Sequence, residues 1–249
     1  VIAAAVLRLA EDGVLDLDAV DPDAGYSLRQ LLQHTAGLPD YGGLADYHAA
    51  VAAGDEPWSA GDLRDRIGDR RPFRPGEGWA YSNIGYLILR ERLEAVTGLR
   101  LGEALSRLVL TPLGVSATLA ETPDDLDGVT GVQPGYHPDW VYHGLLVGTL
   151  ADAARLLDGV LAGRLFPVAR VAEMARSHPV GSAIPGRPWT ALGYGLGVMT
   201  PDVGARRVVG HTGGGPNSAI AVYAFEGRIG AAFTTGDDAG AVERAAVGV

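Results

Sequence analysis

The chain is predicted to fold as an α+β protein, helices first and an antiparallel sheet last. Apolar residues recur at helical spacing in patches through about residue 176. The period then switches to two, and the runs Ser218 to Phe225 and Arg228 to Thr235 flank Glu226-Gly227, a two-residue connection suited to an antiparallel hairpin. At 249 residues and 47% hydrophobic, the chain can bury one large domain or two lobes sharing a core.

The elements follow in order. Ile2, Ala5, Val6 and Leu9 share one helix face, and Gly13 stands where a left-handed C-cap would fall. No Ser, Thr, Asp or Asn precedes that face to satisfy the orphan N–H groups, which fits either a frayed end or a helix entered partway. The apolar start has no basic residues before it and no small-residue cleavage site soon after, so it does not read as a signal peptide.

Ser27-Leu28-Arg29-Gln30 has the form of a capping box and predicts a short helix ending near His34. There a cation suits the helix dipole, so His34 is assigned a structural role, and Asp40 and Tyr41 organise the loop that follows. Ser59 caps a helix through about Ile67, and the segment from Arg74 to Gly78 is a turn. Ser82 or Asn83 then opens a helix carrying Ile84, Leu87, Ile88 and Val96 at helical spacing, and Gly98 stops it. Tyr81-Ser82-Asn83 therefore sits where a loop becomes a helix, a place suited to presenting side chains.

Helices are predicted over about 102–110, 150–162 and 167–176. Arg207-Val208-Val209-Gly210 leads into His211 and the hairpin, and Asp237 or Asp238 caps a last helix from about Gly240 to Val247. With no repeat or linker, the chain is expected to be a single domain over 1–249. Its helix-rich lobe covers about 27–176 and its sheet and helix about 194–249.

Composition excludes several functions. A net charge of -10 argues against nucleic acid or an anionic membrane as partner. All 20 basic residues are arginines, so no Walker A lysine, pyridoxal Schiff base or lysine general base is present among these residues. Zero cysteines remove thiolate chemistry and leave compartment open. No apolar run reaches the roughly 20 residues that span a bilayer. His137, Asp139 and His143 lack metal-binding spacing, and neither metal nor cofactor is expected. Core packing is expected for most of Tyr136, Trp140, Trp189 and Tyr194, with part of a cleft rim as the alternative.

Four segments carry a resemblance. Tyr81-Ser82-Asn83, His211-Thr212-Gly213-Gly214, the run from Leu31 to Tyr41, and Phe73-Arg74-Pro75-Gly76 resemble the serine β-lactamase and D-alanyl-D-alanine carboxypeptidase superfamily, above all its class C-like branch. The resemblance keeps the family's order along nearly the whole chain. It implies a helical lobe packed on an antiparallel sheet, with the family's first strands missing here.

The resemblance also implies the chemistry. A family member acylates a serine from an S-x-x-K motif, and the tyrosine of Y-x-N shuttles the proton, helped by positive charge that lowers its pKa from about 10. Tyr81 matches that tyrosine, and Asn83 matches the amide that orients substrate. Ser82, at the variable position, is assigned to capping rather than nucleophilic attack. His211 and Thr212 would meet a substrate carboxylate, Gly213 would admit the backbone closely, and the Gly214 N–H would serve the oxyanion hole. Carboxylate recognition is then expected to weaken as pH rises through the histidine pKa, ordinarily near 6.5.

No S-x-x-K is present, and relatives place theirs a few residues before the stretch resembling Val6 to Asp18, so the expectation is a chain truncated just past its lysine. The implied function is an acyl-serine hydrolase acting on D-amino peptides, β-lactams or esters, this polypeptide being inactive alone and prone to associate. The alternative is a non-catalytic relative that binds peptidoglycan-like or penicillin-like ligands. Family members are often exported; compartment, oligomeric state and the choice among amide, lactam and ester are not written in the residues.

Overall fold

A computed structural model describes residues 1–249, which fall into two compact units. The first comprises Val1–Leu105, Leu119–Asp127 and Pro134–Val147; the second comprises Ser106–Thr118, Gly128–Gln133 and Gly148–Val249. The mixture of helix with antiparallel sheet is the one read from the sequence.

The first unit holds α1 (Ile2–Glu11), α2 (Leu28–Leu32), α3 (Ala45–Ala53), α4 (Ala60–Ile67), α5 (Asn83–Thr97) and α6 (Leu101–Leu105). Strands β1 (Thr118–Ala120) and β2 (Leu145–Val147) pair as a two-stranded sheet. The expected capping box forms, Ser27 Oγ accepting from the Gln30 N–H, and Ser59 caps α4 as expected, its Oγ accepting from the Asp62 N–H. Helix α5 packs against α1 and α2. Tyr41, Leu63, Ile84, Leu87, Trp140 and Tyr142 lie in one buried cluster beside it.

Helix α3 departs from the sequence reading, which placed no element there. Its nine residues have no side-chain cap and bury only Ala50 and Val51, so no amphipathic stripe marked it. The helix expected over 102–110 is divided, with α6 followed by a π-helical turn, Ser106–Leu110.

The second unit continues with α7 (Thr111–Leu113), α8 (Leu150–Leu161), α9 (Val168–Met174) and α10 (Ala239–Val247). Strands β3 (His178–Ser182), β4 (Ala191–Tyr194), β5 (Asp202–Val203) and β6 (Arg206–Arg207) run antiparallel in that order. Strands β7 (Val209–Gly215), β8 (Ser218–Phe225) and β9 (Arg228–Thr235) form a second antiparallel row. Met199 links the rows, bridging Tyr194 on one side and Gly210 on the other.

The β8–β9 turn has the expected form. Glu226 at φ 52° and Gly227 at φ 74° both take the positive φ of a type I′ turn, and Phe225 pairs with Arg228 across it. Helix α10 packs on β7, β8 and β9 so tightly that a Cβ on Gly230 would sit 1.9 Å from the Ala246 carbonyl oxygen. Glycine is required there by the close approach of helix and sheet. No helix is long and apolar enough to cross a membrane.

Candidate active site

In the first unit, the segment from His34 to Asp40 wraps the tripeptide Tyr81-Ser82-Asn83. Ser82 is the N-cap of α5: its Oγ accepts from the Gly85 N–H at 3.1 Å and donates to the Pro39 carbonyl at 2.7 Å. With its hydroxyl proton committed and 3% exposure, Ser82 is a cap and not a nucleophile. Asp40 Oδ1 accepts the Asn83 N–H at 2.8 Å. Burial raises the Asp40 pKa, and hydrogen bonds from the Asn83 backbone and side chain offset part of that. Asp40 thus orients Asn83 at two points.

His34 does not act as a helix-end cation. Its Nδ1 accepts the Ser82 N–H at 3.1 Å, which a protonated Nδ1 cannot do. The residue is 2% exposed, and its backbone stands at φ 60°. That left-handed conformation costs a non-glycine residue roughly 1 kcal/mol. Its ring packs against that of Tyr81, at 4.2 Å between centroids, and that of Tyr86, at 5.2 Å.

Tyr81 has 39% of its surface exposed. Although that much of the residue meets solvent, desolvation by its neighbours first, and then the Asp40 carboxylate, push its pKa up to about 12, opposite to the lowering that the resemblance implied. The charged neighbour that acts on it here is an anion, so at neutral pH Tyr81 is a protonated phenol.

In the second unit, His211, Thr212, Gly213 and Gly214 lie in β7, whose alternation sends side chains to opposite faces. His211 Nδ1 lies 2.7 Å from the Thr212 carbonyl oxygen, so this nitrogen carries the proton, and Nε2 accepts the Tyr194 O–H at 3.1 Å. Burial lowers the His211 pKa, with the bond to Thr212 opposing it. Both ring nitrogens are engaged in a neutral imidazole; any cationic role belongs below pH 6.5.

Thr212 faces α10. Its hydroxyl donates to Glu243 Oε1 at 2.5 Å and lies 2.8 Å from the Tyr223 hydroxyl. The Tyr223 O–H also lies 3.3 Å from Met199 Sδ, a weak acceptor, so its proton goes to Thr212. Glu243 is fully buried and accepts from both Nε and Nη2 of the Arg187 guanidinium. The hydroxyl expected to meet a carboxylate is therefore bonded inside the fold.

The main chain of β7 has an open edge. Gly210 exchanges both its hydrogen bonds with Met199, away from β8, and alternation along an antiparallel strand sends the N–H groups of Thr212 and Gly214 the same way. No strand pairs with that edge beyond Gly210. Gly214 is exposed, and a Cβ there would meet nothing within 4 Å. Its N–H therefore points to the unpaired side of the strand.

Neither histidine of the 137–143 stretch stands in a metal-like group. His137 Nδ1 accepts from the Asp139 N–H at 3.2 Å, and His143 Nδ1 meets the Tyr41 hydroxyl at 3.3 Å. Trp140, Trp189 and Tyr194 are buried, and Tyr194 adds a polar contact that sequence reading missed. Tyr194, Arg187 and Glu243 had no local signal, since their partners lie 17 to 56 residues away.

Comparison with known proteins places this geometry in context. The β-lactamase family model matches residues 1–247. Penicillin-binding protein 4* of Bacillus subtilis is 33% identical over 128 residues, 47% of this chain and 27% of that protein. A D-aminopeptidase of Brucella anthropi is 28% identical over 197 residues, 75% of this chain and 37% of that enzyme. The chain thus spans about a third of the length of these curated relatives. Among solved structures, a D-stereospecific amidohydrolase from Streptomyces sp. superposes with a TM-score of 0.79 at 23% identity, covering 100% of this chain and 84% of that one.

Proposed function

The chain belongs to the β-lactamase family of serine hydrolases, and we propose that it supplies the substrate-holding residues for acyl transfer from a D-amino peptide, β-lactam or ester. Amide bonds of D-amino compounds are the favoured substrates, on the likeness to the D-aminopeptidase. The single observation that carries the reading is the open edge of β7, where the Gly214 N–H faces no strand. A developing oxyanion is stabilised by such a fixed donor, by about 3 kcal/mol where one has been removed from other hydrolases.

Tyr81 is assigned proton transfer, Asn83 the substrate amide, and Gly213 the close approach of the acyl group. His211 lines the edge as a neutral imidazole, and Thr212 acts from behind the strand by fixing its face. The acyl-accepting serine and its lysine are not among these residues, because the 249 contain no lysine. The polypeptide on its own is therefore assigned no turnover.

That same absence favours a second reading, a non-catalytic binder of peptidoglycan-like or penicillin-like ligands. Mass spectrometry after incubation with a penicillin, beside NMR titration with D-phenylalanine amide, tests both. We expect no acyl adduct, and saturable shifts at Asn83 in the first unit and at Gly214 in the second. An acyl adduct would refute the assigned inactivity; a titration that leaves both residues unmoved would refute the site.

A further inference from the structure

We propose that His34 is the positioning residue for Tyr81, holding the tripeptide through a neutral imidazole protonated on Nε2; this rests on the assignment of Tyr81 and Asn83 to the site. Three separate observations converge on it.

The first is the pair of hydrogen bonds that flank Tyr81. The Ala80 N–H donates to the His34 carbonyl at 3.1 Å, and the Ser82 N–H donates to His34 Nδ1 at 3.1 Å. One residue, by its main chain and its ring, therefore ties the backbone on both sides of Tyr81. A tyrosine held at both flanking amides loses the freedom to swing with the loop, and proton transfer depends on such placement.

The second is the backbone of His34, in the left-handed region at φ 60°. That position just past α2 is one where glycine or asparagine is the relaxed choice. A buried histidine there carries strain that glycine would remove, and strain held in a fold points to a job for the side chain.

The third is the ring packing. The imidazole lies 4.2 Å from the Tyr81 ring at an interplanar angle of 38° and 5.2 Å from the Tyr86 ring at 34°. It therefore sets the plane of the Tyr81 ring as well as the path of its backbone. A residue at this place that served only to end α2 would need neither the acceptor nor the ring.

Three replacements separate these duties. His34→Gly relaxes the backbone and removes acceptor and ring. His34→Asn keeps a residue tolerant of the left-handed region and offers an oxygen near the place of Nδ1. His34→Leu keeps the bulk and removes the acceptor.

Long-range ¹H–¹⁵N spectra of the 249-residue chain at neutral pH should show His34 with Nδ1 unprotonated and Nε2 protonated. Ser82 amide exchange should quicken about tenfold or more in His34→Gly and His34→Leu and stay within about threefold of the parent in His34→Asn. His34→Gly should melt no lower than His34→Leu, yet bind D-phenylalanine amide about tenfold more weakly than the parent. His34→Asn should restore most of that binding.

A protonated Nδ1 in the parent chain, unchanged Ser82 exchange in His34→Gly, or a His34→Asn no better than His34→Leu would each overturn the proposal. A parent chain that binds no D-phenylalanine amide would instead count against the substrate reading. The tautomer and the Ser82 exchange rates then decide the role of His34 without it.

Discussion

Removing the Glu243 carboxylate should destabilise the second unit by about 3 kcal/mol, and removing Arg187 with it should restore most of the loss. Glu243 is 0% exposed, and its side chain accepts from Nε and Nη2 of Arg187 and from the Thr212 hydroxyl, while the Arg187 side chain keeps 22% exposure. Breaking a buried pair from one side costs about 3–5 kcal/mol, because the remaining charge stays desolvated. Arg187 can reach water, so Glu243→Met belongs at the low end of that range, whereas Arg187→Met strands a fully buried carboxylate and belongs at the high end. In the double variant no charge is left, and stability should return to within about 1 kcal/mol of the parent. Urea unfolding followed by circular dichroism gives the values. With a slope of about 3 kcal/mol per M, the Glu243→Met midpoint should fall by roughly 1 M. Single variants costing under about 1 kcal/mol, or losses that simply add in the double variant, would refute this account of α10 and β7.

His211 should titrate below its ordinary 6.5, because burial disfavours the imidazolium. A depressed pKa contributes stability above pH 6.5 that is lost as pH falls through the folded value, so His211→Gln should flatten the acid side of the stability profile. Tyr194→Phe removes the O–H that Nε2 accepts and should move the histidine titration upward in NMR; a parent value at or above 6.5 would contradict the neutral assignment. Tyr81, with its pKa pushed up to about 12, holds its proton more tightly folded than unfolded, so stability should be lost as pH rises from about 10 to 12 and less so in Tyr81→Phe. Ultraviolet difference titration showing a Tyr81 phenolate below pH 10 would overturn this. Gly37→Ala should cost about 3 kcal/mol, since φ is 69° and a Cβ would lie 2.1 Å from the Phe73 carbonyl oxygen. Gly54→Ala, at φ 72° with nothing within 4 Å, should cost only about 1 kcal/mol, and equal drops in melting temperature would show that space is irrelevant at Gly37.

What could be read in advance was whatever the chain writes locally. The Ser27 box, the Ser59 and Ser82 caps and the Glu226-Gly227 turn each rest on residues within four positions, and all formed. Strands β3 to β6 are two to five residues long and interrupted by proline and glycine, too short for alternation to register. Helix α3 has no cap and almost no buried face. Among the candidate residues, the motifs were legible while their bonding partners were not. Asp40 meets Asn83 across 43 positions and His34 meets Ser82 across 48, and nothing in either segment alone states the pairing. The direction of the Tyr81 pKa was hidden for the same reason, since desolvation first and then Asp40, both set by the fold, push it upward.

That sign decides what Tyr81 can contribute. Bringing even an ordinary phenol from about 10 to 7 takes roughly 4 kcal/mol of preference for the phenolate. One ammonium about 4 Å away supplies about that much at an effective dielectric of 20, and less when screened. Burial and Asp40 both act in the opposite direction here, so a single cation would not hold Tyr81 as a standing phenolate at neutral pH. The phenol suits a concerted role, accepting one proton while giving up its own, and such a role needs placement more than it needs a shifted pKa. If Tyr81 has the proposed role, the two bonds that the Ala80 and Ser82 N–H groups donate to His34 supply that placement.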